Sequence, residues 1–160
     1  MLAADDLIFR TENWDEKVIK EFLKVPDRIV YVFTDDGFRG RGQEPEDERS
    51  FGTHGFIHKN WTDVLDYFTR PYFPRHGTDT WFNYIGNELG RKAGIQDVLI
   101  EHMHFRQGKS KCDQTYQDQI DHGHLHKQIW VEREGEMLED IERLRKFIEE
   151  FDEGNSDKPT

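Results

Sequence analysis

Apolar positions along the chain fall into groups whose spacing separates strands from helices. Residues 1–9 form a short strand-like apolar run, interrupted by the adjacent carboxylates of Asp5 and Asp6. Trp14, Val18, Ile19, Phe22 and Leu23 then recur on one face of a helix. Asn13 suits its N-cap, Glu16 completes a capping box, and Pro26 stops it. The run over residues 28–33, Arg-Ile-Val-Tyr-Val-Phe, is β-branched and aromatic, the pattern of a buried strand. The chain thus opens strand, helix, strand.

Thr34 to Ser50 contains three glycines, one proline and no apolar period, so it reads as a loop, either a lid over a substrate or a solvated excursion. Phe51 to His58 resumes a strand, and Asn60 caps a short helix carrying Trp61, Val64, Leu65 and Phe68. Residues 70–77 are aromatic and proline-rich, which fixes an extended path. A helix opening near Thr78 and Asp79 carries Trp81, Phe82, Ile85 and Leu89 and is expected to stop at Gly94. Val98 to Ile100 is a strand that runs into Glu101, His102, Met103 and His104. Residues 105–127 are polar, after which Leu138, Ile141, Leu144, Ile148 and Phe151 recur at helical spacing. The pattern predicts an α/β unit over 1–127 with a mixed sheet and flanking helices, an amphipathic helix over 128–151, and a disordered tail over 152–160.

A length of 160 residues fits one domain, and twelve Phe, five Tyr and four Trp supply enough large apolar surface for its core. The net charge of -11 disfavours nucleic acid and anionic membrane surfaces as main partners, because phosphate binding needs clustered Lys and Arg. A single cysteine, Cys112, excludes an internal disulfide and fits a reducing compartment. No segment is apolar for long enough to span a bilayer, and the first residues lack a signal-peptide layout, so a cytoplasmic location is expected.

The candidate chemistry sits where apolar runs meet acids and histidines. Asp5 and Asp6 have two readings: a turn, in which Asp bonds nearby backbone, or a site for Mg²⁺ or Mn²⁺, which take carboxylate oxygens. Asp79 opens a helix, where an acid complements the dipole and is also available for chemistry. His102 and His104 are two apart, so a strand would point both to one face as a source of metal ligands. His122, His124 and His126 lie in a polar tract, where solvated side chains are the simpler reading.

Taken in order, Ala4-Asp5-Asp6, Gly77-Thr78-Asp79-Thr80-Trp81, Arg91-Lys92-Ala93-Gly94 and Asp97-Val98-Leu99-Ile100-Glu101-His102 resemble the C-terminal half of a GT-A-fold, family 2-like glycosyltransferase. His54 to Trp61 and Gly108-Lys109 resemble pieces of the same pattern in phage and bacterial members, which extends the resemblance over residues 1–116. In that family an acidic motif binds a divalent metal that bridges the diphosphate of a nucleotide-sugar donor. A helix-opening acid is the catalytic base of inverting members, and a later histidine completes the metal site. The resemblance implies that Asp6 is the main metal ligand, Asp5 a metal or donor-ribose contact, Asp79 the base, and His102 or His104 the closing ligand. Ala4 stands where the fuller motif has its first acid, and Thr78 where a Glu is usual. The family's N-terminal βαβ half, with most of the nucleotide site, is not represented, so an incomplete or split enzyme is expected, with a second chain supplying that half or with self-association at the exposed sheet edge.

Transfer of a hexosyl group needs such groups on chemical grounds too: a cation, Mn²⁺ or Mg²⁺, for charge on the leaving diphosphate, and a carboxylate to take the acceptor proton. Trp61, Tyr72, Phe73 and Trp81 either stack on a sugar or pack in the core. Two other functions compete. A non-enzymatic assembly module would use the acidic surface and the C-terminal helix, and a metal-dependent hydrolase would use the histidines and acids over 102–126.

Overall fold

The computed structural model of the chain describes residues 1–38, 51–73 and 77–156, with the side chains of 119, 122–127 and 156 outside the description. Most of the expected lid, from residue 39 to residue 50, lies outside the described residues. Alternation along Ile29 to Phe33 organises the rest, since successive strand residues point to opposite faces. Val30 and Val32 face one core; Ile29, Tyr31 and Phe33 face the other.

The strand built on this run, β2 (Tyr31–Asp35), is joined by β1 (Leu7–Phe9) and β3 (Lys92–His102) in the order β1-β3-β2. β2 runs parallel to β3, with Tyr31 opposite Lys92, and β1 runs antiparallel to it, with Leu7 opposite His102. The fold is therefore α/β with a mixed three-stranded sheet. Helix α1 (Trp14–Lys24) covers the first face, where Val18 and Phe22 meet Val30, Val32, Ile95, Val98 and Ile100. Helices α2 (Lys59–Leu65), α3 (Thr78–Glu88) and α4 (Gln114–Ser156) bring Trp61, Leu65, Trp81, Ile85, Met137, Ile141 and Leu144 to the second core. Trp61 and Trp81 thus serve packing rather than an open stacking platform. No helix among the described residues is long and apolar enough to cross a membrane.

Several local expectations are corrected. Asn13 is the N-cap of α1, but its backbone is left-handed at φ 55 and its side chain makes no capping bond. Ile19 and Leu23, 54% and 61% exposed, face solvent rather than the core. Asn60 lies inside α2, whose N-cap is His58, and its amide instead bonds the carbonyl of Asp27 at 2.9 Å. Gly94 is no helix cap: α3 ends at Glu88, Gly90 takes the left-handed backbone at φ 62, and Gly94 sits in β3 against the Phe33 ring. Its missing Cβ makes room for that ring, because a Cβ there would come within 2.9 Å of it.

Phe51 to His58 does not form a strand. It makes one antiparallel bridge, Phe56 with Val32, and its Gly52 and Gly55 pass against the side chains of Phe33 and Tyr31. Gly55 permits this approach, since a Cβ there would meet the Tyr31 ring at 2.1 Å. The acids at positions 5 and 6 precede β1 rather than end a strand. The terminal helix starts at Gln114, not 128, and carries residues 152–156 as well, while 157–160 lie outside the described residues.

Helix α4 is fixed by its buried side. Asp140, 0% exposed, accepts bonds from Arg70 Nη2 at 2.6 Å and Trp81 Nε1 at 3.1 Å. Its opposite side keeps Val131 79% and Leu138 53% exposed.

Candidate functional site

The topology gathers chemistry at one end of the sheet. Parallel β2 and β3 both finish there, and antiparallel β1 begins there, so Asp36, His102 and Asp6 become neighbours. The amide of His102 donates to the carbonyl of Asp36 at 2.9 Å, and that of Met103 to the carbonyl of Asp6 at 2.9 Å. Carboxyl ends of strands are where open α/β sheets form ligand sites.

At the centre, His102 Nε2 lies 3.2 Å from Asp6 Oδ2. The same oxygen accepts a hydrogen bond from the hydroxyl of Tyr116, which comes from the first turns of α4. Burial, followed by the bond to Asp6, pushes the Tyr116 phenol well above its ordinary range, so the hydroxyl keeps its proton and donates. His104 lies beyond the end of β3. Its ring stands 4.9 Å from that of His102, but Nδ1 accepts the Arg106 amide at 3.1 Å and caps the short 3₁₀ turn Phe105–Gln107. Phe38, Phe105 and Tyr116 surround it. The two histidines are therefore adjacent, though not as side chains on one strand face.

Sequence reasoning missed three contributors. Asp36 is buried, accepting the Phe38 amide at 2.8 Å on one oxygen and the Thr53 hydroxyl on the other. His54, next to that threonine, meets His102 edge to face with centroids 4.6 Å apart. Tyr116 is the third. Asp36 was signalled by its place just after a strand, whereas His54 and Tyr116 carried no local signal.

Asp5 is exposed in the turn before β1. Asp79 stands in the first turn of α3, where its Oδ1 accepts the Thr80 amide at 2.8 Å. Its charge reaches Tyr31, whose phenol is raised by burial first and by Asp79 second. The crossing segment ties Asp79's helix to the cluster. Asn83 of α3 exchanges bonds with Gly52, donating at 2.6 Å and accepting at 2.9 Å, and His54 follows two residues later. The side chains of His122, His124 and His126 lie outside the described residues; their backbone belongs to α4.

Among the described residues no three His, Cys, Asp or Glu side chains are drawn tightly enough to enclose a metal ion as they stand. Asp6 Oδ1 and His54 Nε2 are both buried without a hydrogen-bond partner, and each belongs to a side chain in contact with His102. Orphaned buried donors and acceptors cost free energy.

Burial holds His54 neutral, with its pKa lowered to about 4, helped by His102 and His104 and opposed by Asp36 and Asp6. An unfolded chain takes up this proton near the ordinary value of 6.5, so folding stability is unaffected above that pH and falls as pH drops toward 4. The metal-free chain is expected to lose about 3 kcal/mol through this window, and His54→Gln to flatten that part of a pH series of urea midpoints. A slope unchanged in the variant would refute this.

Comparison of the chain with protein-family models, with curated proteins and with solved structures finds no match.

Proposed function

We propose that these residues form the metal and acceptor side of a nucleotide-sugar glycosyltransferase of the GT-A type, which moves a hexosyl group onto an acceptor hydroxyl. The observation that carries this reading is the meeting of Asp6 with His102 at 3.2 Å, two residues from opposite ends of the sheet-forming chain. In this reading Asp6 and His102 hold the divalent ion, and Asp5, exposed beside them, contacts the donor. When bound, the ion supplies positive charge to the departing diphosphate. Tyr116 would orient Asp6 through its hydroxyl bond to Oδ2. Asp79, in the first turn of α3, takes the acceptor proton. His104 supports the ring of His102 rather than serving as a ligand.

The partner this reading calls for is a nucleotide-binding half, and β1, an edge strand with Ile8 and Phe9 exposed, is where a further strand would pair. Calorimetric titration of UDP and GDP with Mn²⁺ present and absent tests the proposal. Metal-dependent binding that Asp6→Ala abolishes is the expected result. A folded chain that binds neither Mn²⁺ alone nor either nucleotide with it overturns the reading.

One feature favours a second reading, a non-enzymatic assembly module: exposed Val131 and Leu138 lie two turns apart on α4. That reading predicts concentration-dependent association by sedimentation and indifference to Mn²⁺.

A further inference from the structure

We propose that the outward face of α4, from Ile120 to Glu142, is a docking site for a basic amphipathic helix of a partner protein. The inference does not depend on the metal centre; it names the occupant of a surface that the sugar-transfer reading leaves unused.

Spacing comes first. Helix α4 buries Met137, Ile141 and Leu144 against the body of the fold, yet Ile120, Val131 and Leu138 are 49%, 79% and 53% exposed. Val131 follows Ile120 by close to three turns and precedes Leu138 by close to two, so the three share one stripe, about 27 Å long at the helical rise. An apolar stripe on the solvent side of a helix is a seam for another helix.

Relief comes second. Gly135 is exposed on the same side of α4, one turn after Val131. Glycine is disfavoured inside helices. The fold does not require it here, because its backbone is not left-handed and a Cβ would meet nothing within 4 Å among the described residues. What the bare backbone offers is close approach for a second helix between the two apolar side chains.

Charge names the partner. From Val131 to Glu142 the chain carries five Glu and Asp140 against one cation, Arg133. That cation turns to Glu136 at 2.7 Å and lies over the Tyr72 ring at 4.7 Å. Glu134, Glu139 and Glu142 are exposed within about one turn of Leu138, and Arg145 offsets the last of them in part, at 3.0 Å. A second copy of the chain would set these glutamates against themselves, and like charges across a helix pair repel. The net charge of -11 adds to that repulsion. Lys and Arg beside an apolar stripe complement the face instead.

The probe is a synthetic helical peptide of about 18 residues, long enough to follow the stripe, with leucines on one face and lysines beside them. One control peptide scatters the same leucines around the helix, and another replaces each lysine by glutamate. Calorimetry with the full chain is expected to show the probe binding at least about tenfold more tightly than either control, the scale of a small interface core. Val131→Gln with Leu138→Gln is expected to lose about tenfold, and Glu134→Gln with Glu139→Gln to weaken binding and flatten its salt dependence. All four positions are exposed, so the variants should keep the wild-type circular dichroism; Val131→Ala with Leu138→Ala replaces the first pair if it does not. Absence of binding overturns the proposal. Equal affinity for the scattered peptide, or a folded Val131 and Leu138 variant that binds like wild type, leaves charge attraction alone and also overturns it. Sedimentation showing self-association that the same variant abolishes gives the face to a second copy, which overturns it too.

Discussion

Arg70→Ala is expected to lower the stability of the chain by about 3–5 kcal/mol, the cost of stripping the partner from a buried charge. Asp140 is fully buried on α4, and Arg70 reaches it with Nη2 at 2.6 Å and Nε at 3.3 Å. Without the guanidinium, the donors that remain nearby are Trp81 Nε1 at 3.1 Å and the Tyr67 phenol, itself pushed up by burial and by Asp140. Neither carries a charge to offset the carboxylate. The paired replacement Arg70→Met with Asp140→Leu is expected to cost less than Arg70→Ala alone, because it removes the charge together with its partner. Urea unfolding of the two variants beside wild type measures both statements, and Arg70→Ala as stable as wild type would refute the first.

Asp79→Asn is expected to reduce sugar transfer by about 10²–10⁴-fold, the usual contribution of a positioned base, while leaving Mn²⁺ affinity unchanged. Release of nucleoside diphosphate from a panel of nucleotide-sugars, measured under conditions where wild type turns over, gives the rate. The substitution also removes a helix N-terminal charge, which costs about 0.3–1 kcal/mol and shows in melting rather than in turnover. Wild-type turnover in the variant would take Asp79 out of the chemistry and leave it as a helix-start acid.

Much of the architecture was legible because burial writes itself into spacing. The run from Ile29 to Phe33 gave the central strand, and Trp81, Phe82 and Ile85 gave the buried face of α3. The second half of α4 followed from Ile141 and Leu144, but its first half did not. Between Gln114 and Asp121 the helix exposes polar residues nearly all round, so no apolar stripe betrays it. Gly94 looks like a helix cap by type, whereas a facing phenylalanine ring explains its place in β3; Asn13 does take the N-cap position, but with a left-handed backbone and no side-chain capping bond. In the site, Asp6 and His102 were readable as polar residues flanking strands. His54 and Tyr116 were not, since what makes them neighbours is the sheet order and the path of a loop, neither of which is local.

The order in which the cluster's members occur along the chain has a consequence for biosynthesis. Asp6 is synthesised well before His102 and Tyr116, the residues it contacts, which come with the sheet's last strand and the start of α4. Closing so long a loop must precede any reward from the contacts it brings, which slows folding. Nascent chains arrested before β3 should therefore lack the Asp6–His102 contact altogether.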